Sequence, residues 1–212
     1  MIDCCFCEGD PRKADALRRR TGWKNEDFFV TPTVGELGPD HLLVIPRAHI
    51  PSFGHLSRDH ALEAERIIDT HSALLSDERT KVIVFEHGMV SHSAAGGCGI
   101  SHAHVHLVSV PRAFEIGPLP EPNGFHPWTP VSPGEFLSRA NQGSGYLLIG
   151  CEGTFWTRQV ENLPSQYLRR WIAGRLGKAQ WDWREATDVD VERRARDLRE
   201  RHSATTVGTT SL

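Results

Sequence analysis

One short segment constrains the fold of this chain more than any other: His102-Ala103-His104-Val105-His106-Leu107-Val108. Side chains alternate between the two faces of a β-strand, so this order sends three imidazoles to one face and Ala103, Val105 and Leu107 to the other. The apolar face can pack on a helix. The imidazole face must meet something polar: water, a metal or a substrate. Strict alternation of three histidines, behind a glycine-rich loop and backed by an apolar counter-face, reads as a functional row rather than a structural one.

Such a row suits two chemistries. Neutral imidazole is a competent nucleophile toward phosphorus, and the labile phosphoramidate it forms divides one slow displacement into two faster ones. A neighbouring imidazole can then stabilise phosphate charge or protonate a leaving group. Metal binding is the competing use of the same side chains.

The rest of the pattern predicts an α+β chain with an antiparallel sheet, because strands follow one another with few crossovers. Residues 10–24 predict one short helix. Strands are predicted at 26–32, 41–46, 81–87 and 101–110, and a hairpin at 145–150 and 154–158 turns around Glu152-Gly153. The clearest helix is 58–76, where Ala64, Ile67, Ile68, His71, Leu74 and Leu75 recur at helical spacing and Ser57 or Asp59 caps the start. Residues 113–134 are proline-rich and predicted irregular. A helix opens at Pro164 and runs to 176, and a charged helix covers 189–201. The last ten residues are predicted to be a disordered tail.

Composition narrows the function classes. A formal net charge of -3 provides no global basic field for collecting nucleic acid. No apolar run approaches the ~20 residues that span a bilayer, and the start, MIDCCFCEGD, has no apolar signal region. We therefore expect a cytoplasmic protein that engages neither membrane nor nucleic acid. The 5 cysteines agree with that compartment. Cys4, Cys5 and Cys7 crowd together while Cys98 and Cys151 stand alone, a poor disulfide framework and a better metal pattern. Cys4 and Cys7 have the C-x-x-C spacing that lets two thiolates reach one Zn²⁺. A redox pair is the other use of that spacing, but no thioredoxin-like βαβ pattern surrounds it. Cys5 is a possible substitute for Cys4 as a ligand.

His-Ala-His-Val-His-Leu-Val resembles the signature of the histidine-triad (HIT) superfamily. Cys4-Cys5-Phe6-Cys7 resembles the Cys-x-Phe-Cys start of many bacterial members, and His41-Leu42-Leu43-Val44-Ile45-Pro46-Arg47-Ala48-His49 resembles the strand and turn that follow. The three motifs stand in the family's order and cover about residues 1–112. The resemblance implies a HIT-like fold, a five-stranded antiparallel sheet with a long helix, and a homodimer. It implies hydrolysis or transfer at the α-phosphate of a small-molecule nucleotide conjugate. His104, the middle histidine, would be the nucleophile, its ring oriented by a backbone carbonyl, and His106 would contact the phosphate or assist the leaving group. Two alternatives from other classes are a non-catalytic nucleotide-binding protein and a metalloenzyme that uses the triad itself as ligands.

The resemblance also implies ligands for a structural Zn²⁺: Cys4, Cys7, His49 and His102. The loop before the strand would bring backbone N–H groups of Gly97, Cys98 and Gly99 to the phosphate. Many members have Gln where this chain has Cys98 and a hydroxyl where it has Gly99. Glu86 or His87 would face the ribose or phosphate, with His87 expected as the substrate-binding residue. Residues 113–202 form a C-terminal extension expected to complete the site and the dimer, with 203–212 as tail. Within it Gln166 and Arg169 would place donors on the phosphate, and Trp181-Asp182-Trp183-Arg184 is aromatic enough to stack a base or to pack.

Overall fold

The computed structural model describes residues 4–7, 11–89, 100–119, 121, 127–132, 134–135, 137, 145–161, 163–187 and 190–208. The strands are β1 (Trp23–Lys24), β2 (Phe28–Pro32), β3 (His41–Pro46), β4 (Thr80–Gly88), β5 (Val105–Pro111), β6 (Thr129–Val131), β7 (Gly145–Cys151) and β8 (Thr154–Val160). The helices are α1 (Pro11–Arg20), α2 (Arg58–Leu75), α3 (Tyr167–Arg175) and α4 (Val191–Gly208), with a 3₁₀ turn at Phe53–His55.

All the paired strands run antiparallel in one sheet, ordered β1-β2-β3-β5-β4-β7-β8-β6. The sheet thus has eight strands among the described residues, where the resemblance implies five. The cause lies in the second half of the chain: β7 bonds directly to the edge of β4, with Phe85 opposite Ile149. The extension therefore continues the sheet of the first half. The hairpin between β7 and β8 turns where expected, with Glu152 at φ 49° and Gly153 at φ 78°, the pair of left-handed residues that a two-residue hairpin demands.

Three boundaries differ from expectation. The ladder of β5 begins at Val105, not at residue 101, so His102 and His104 precede the strand. Helix α3 begins at Tyr167 rather than Pro164 because Gln166 adopts a left-handed conformation, φ 60°. Helix α4 continues to Gly208, through much of the expected tail; the backbone carbonyl of Arg199 still accepts from the Ser203 hydroxyl there. A short strand, β6, also forms within the stretch predicted irregular.

The sheet separates two apolar layers. On one face Phe28, Val30, Val44, Val84, Val105 and Leu107 pack with Ala61, Ala64 and Ile68 of α2. Ser57 caps α2, its hydroxyl accepting from the His60 amide. The other face carries two patches. Ile83, Phe85, Val108 and Ile149 lie under Leu168 and Ile172 of α3. Phe29, Leu43 and Ile45 lie under Leu17 of α1. Burial of each Val, Leu, Ile or Phe side chain in these layers contributes about 2 kcal/mol to holding the helices in place. Between the two patches the sheet presents histidines.

Candidate active site

His104 sits just ahead of β5. The amide of Ala103 donates to the carbonyl of Ile50 at 2.8 Å, which docks this segment against the loop after β3. The imidazole Nδ1 of His104 lies 2.8 Å from the carbonyl oxygen of its neighbour His102. A carbonyl only accepts, so Nδ1 carries the proton and Nε2 holds the lone pair. Burial pushes the His104 pKa below the usual imidazole range, only partly offset by that carbonyl. The result is a neutral imidazole with its nucleophilic nitrogen unprotonated.

His106 is set by a chain of hydrogen bonds. The Leu37 amide donates to His41 Nδ1 at 3.2 Å. His41 Nε2 must then carry that ring's proton, and it lies 2.9 Å from His106 Nδ1. His106 consequently holds its own proton on Nε2, a buried atom with no described partner. Burial lowers the pKa of both rings well below the ordinary value, so both are neutral at pH 7. Phe85 stacks on His106 with ring centroids 4.3 Å apart and planes 6° from parallel, which fixes the ring plane. His106 therefore offers one aimed N–H donor, and its ring centroid is 5.0 Å from that of His104.

Alternation along β4 separates Glu86 from His87. Glu86 shares the face of Val82 and Val84, away from the histidines. Its carboxyl accepts from the Phe53 amide at 2.9 Å and from the Tyr146 hydroxyl at 2.5 Å, and burial raises its pKa to about 7. It anchors the 3₁₀ turn and does not face the site. His87 shares the face of Phe85. Phe85 pairs with His106 across the ladder, and continuing that count puts His87 beside His104. Burial, and secondarily the electrostatic influence of the neighbouring His104 ring, lowers the His87 pKa to about 4, and its Nδ1 is buried with no described partner.

The first triad histidine faces elsewhere. His102 Nε2 donates to the Pro46 carbonyl at 2.7 Å, so its Nδ1 lone pair is available. That Nδ1 lies 3.4 Å from Cys4 Sγ, 3.5 Å from Cys7 Sγ and 3.2 Å from His49 Nδ1. Cys7 Sγ is 3.1 Å from His49 Nδ1. Tetrahedral zinc with bonds of ~2.0–2.3 Å places its ligands roughly 3.3–3.8 Å apart, so these four atoms fit one metal ion with little movement. The backbone carbonyl on His102 is the kind of outer partner that fixes a ligating tautomer. Cys5 is exposed and outside this group. Among the described residues this is the one metal-type cluster, and it contains neither His104 nor His106. The triad therefore does not converge on a single ion, which removes the reading of it as a three-histidine metal centre.

A cavity of about 330 Å³ opens over His104 and His106. Lys13, Ala16, Leu17 and Arg20 from α1 line it, and Arg169 and Trp183 join them from the extension. Arg169 is 1% exposed. It reaches the cavity while donating to the carbonyls of Trp181 and Gly35. Gln166 holds the 182–183 segment through Asp182 and the Trp183 amide, so its side chain serves the wall rather than the cavity. Gly97, Cys98 and Gly99 lie outside the described residues. Sequence reasoning did not single out His41, Lys13 or Arg20. His41 opens the β3 motif, and that was its one available signal; the α1 cations look like any solvated helix face until the helix is docked.

Comparison with known proteins gives one family and several similar proteins. Residues 2–116 match the family described as "Protein similar to CwfJ C-terminal". The mouse (Mus musculus) protein "Adenosine 5'-monophosphoramidase HINT3" is 26% identical over 115 residues, which are 53% of this chain and 66% of the relative. The chain thus spans just under two thirds of that relative's length. Among solved structures, a hypothetical histidine triad nucleotide-binding protein from Sulfolobus tokodaii strain 7 has a TM-score of 0.36 at 20% identity, covering 50% of this chain and 67% of the other. Yeast Ap4A phosphorylase Apa2 has a TM-score of 0.45 at 12% identity, covering 93% and 77%. With its matched segment spanning more than half of the sequence and carrying the complete triad, the chain belongs to the CwfJ C-terminal-like family of the histidine-triad superfamily.

Proposed function

We propose that this protein is a nucleotidyl hydrolase or transferase that acts at the α-phosphate of a nucleotide conjugate through a covalent nucleotidyl-His104 intermediate. The observation that carries the reading is the 2.8 Å bond from His104 Nδ1 to the His102 carbonyl, which leaves Nε2 unprotonated beside the cavity. In the first step Nε2 bonds to phosphorus and the bond to the leaving group breaks. The N–H of His106 stabilises charge on a non-bridging phosphate oxygen. His87 and Arg169 add polar contacts at the same phosphate, and the backbone of Gly97, Cys98 and Gly99 supplies further donors. In the second step water or another acceptor takes the nucleotidyl group and restores His104.

Cys4, Cys7, His49 and His102 hold a structural Zn²⁺ in this reading. The ion ties the N-terminal segment to the triad strand and takes no part in the transfer. Gln166 acts through the wall it holds. The active species is a homodimer, as the family resemblance implies. Among the described residues no helix is long and apolar enough to cross a membrane.

Alkaline quenching of the enzyme with radiolabelled adenosine 5'-phosphoramidate and diadenosine polyphosphates tests the assignment, because phosphoramidate bonds survive in base. Labelled His104 peptide is expected. A His104→Ala protein that keeps full activity, or nucleotide binding with no label under any conjugate, would falsify it.

A further inference from the structure

The family match ends at residue 116, yet Trp183 lines the cavity over His104. Nothing in the matched segment places a tryptophan there. The strap that carries it, 181–183, is fastened from two sides. Gln166 Nε2 donates to Asp182 Oδ1 at 2.7 Å and its Oε1 accepts from the Trp183 amide at 3.3 Å. Arg169 Nε donates to the Trp181 carbonyl at 3.1 Å, while its Nη2 donates to the Gly35 carbonyl at 2.5 Å. One buried guanidinium thereby ties the strap to the loop after β2, whose Thr33 and Val34 also line the cavity.

The strap has little freedom. Gly35 sits at φ 66°, and a Cβ there would come within 3.2 Å of Trp183 Cα, so the two loops touch through backbone. Gln166 is 1% exposed and adopts φ 60° without being glycine. Such a conformation costs on its own and persists where the surroundings over-determine it, commonly at ligand sites. Here the residue that bears the cost is the one that holds Trp183. The guanidinium of Arg184 lies 5.1 Å from the Trp183 ring centroid, which further restricts the indole.

We propose that Trp183 is the stacking wall for the planar base of the substrate, with Gln166 and Arg169 as its positioning residues. This rests on the nucleotide reading of the His104 site and adds a recognition element from outside the matched segment. An indole face stacks on any base without needing matched donors and acceptors. Leu17 and Ala16 line the same cavity, which gives the base an apolar slot while its phosphate reaches His104. The strap thus sets how strongly the ligand's ring, rather than its sugar-phosphate, contributes to binding.

Calorimetry with AMP and ribose 5-phosphate on the full chain tests this, using wild type, Trp183→Ala, Trp183→Phe and Gln166→Ala, each checked by thermal melting. Wild type is expected to prefer AMP. Trp183→Ala should reduce the ratio of the two affinities by about tenfold or more, Trp183→Phe should restore most of it, and Gln166→Ala should fall between. An unchanged ratio in Trp183→Ala at a wild-type melting temperature overturns the proposal and leaves the His104 reading standing. If wild type binds neither compound, the nucleotide reading itself fails and takes this one with it. Should Trp183→Ala not fold, Trp183→Phe with a ratio equal to that of Gln166→Ala counts against stacking.

Discussion

His41 Nε2 and His106 Nδ1 lie 2.9 Å apart, and this single contact decides which nitrogen of His106 can face a phosphate. Because the Leu37 amide occupies the far side of His41, the proton order along the chain has one solution. The pair belongs to different strands, β3 and β5, and neither ring could be assigned a tautomer alone.

His41→Phe should therefore be costly without touching substrate. It strips the Leu37 amide and His106 Nδ1 of their partner, at about 1–3 kcal/mol for each buried group left unpaired. Freed to flip, His106 no longer aims its donor, and kcat should fall about 10²-fold with a smaller change in KM. Urea denaturation and steady-state kinetics measure the two effects. A variant with wild-type kcat would show that the tautomer chain is irrelevant to turnover.

Chelation should remove a structural metal and lower the melting temperature on the order of 10 °C. Cys4→Ser, Cys7→Ser and His49→Ala should each lose bound zinc in metal analysis, while Cys5→Ser should keep it, since Cys5 stands outside the cluster. Zinc retained by Cys4→Ser but lost from Cys5→Ser would reverse the assignment.

Glu86 links stability to pH. Its folded pKa, about 7 against 4.5 as the ordinary value, means the folded state holds a proton that the unfolded chain has released. Stability from this group is therefore complete below pH 4.5 and declines as pH rises through about 7. Glu86→Gln keeps an acceptor for Tyr146 and abolishes the decline. Relative to wild type it should gain about 1–3 kcal/mol between pH 4.5 and pH 8, read from urea melts at both ends. A constant difference across that range would mean Glu86 is not protonated in the fold.

The cavity's described lining contains Lys13, Arg20 and Arg169 and no carboxylate, although acidic residues outnumber basic ones in the chain, 27 to 24. Lys13→Met and Arg20→Gln should weaken ADP more than AMP, each by about tenfold for a charge-assisted contact, and added salt should narrow the gap. Equal losses for the two nucleotides would indicate that these cations do not meet a second phosphate.

Much of the architecture was written in local pattern. The period-two alternation around Val105 and Leu107 identified the face that packs on α2, and the helical spacing of Ala64, Ile67, Ile68 and His71 marked α2 itself. The hairpin at Glu152-Gly153 followed from turn chemistry. That this hairpin would extend the sheet of the first half did not, because pairing of β7 with β4 is a long-range event that no local period reports. The start of α3 was missed for a related reason: Gln166 takes a left-handed conformation that serves Asp182 and Trp183, far along the chain.

By itself the sequence determined that Ala103, Val105 and Leu107 would form the apolar layer behind the histidine segment, and that Cys4 and Cys7 were spaced for a metal. Spacing along one chain carries that much, since side-chain direction follows from the backbone period. The tertiary structure alone decided that the triad is divided, with His102 turned to the cysteines and His49, His104 bonded to its neighbour's carbonyl, and His106 set by His41. It also brought Trp183 and Arg169 to the same cavity. Tautomers and pocket walls depend on which atoms meet through space, and those meetings join residues separated by as many as 134 positions, as Gly35 and Arg169 are.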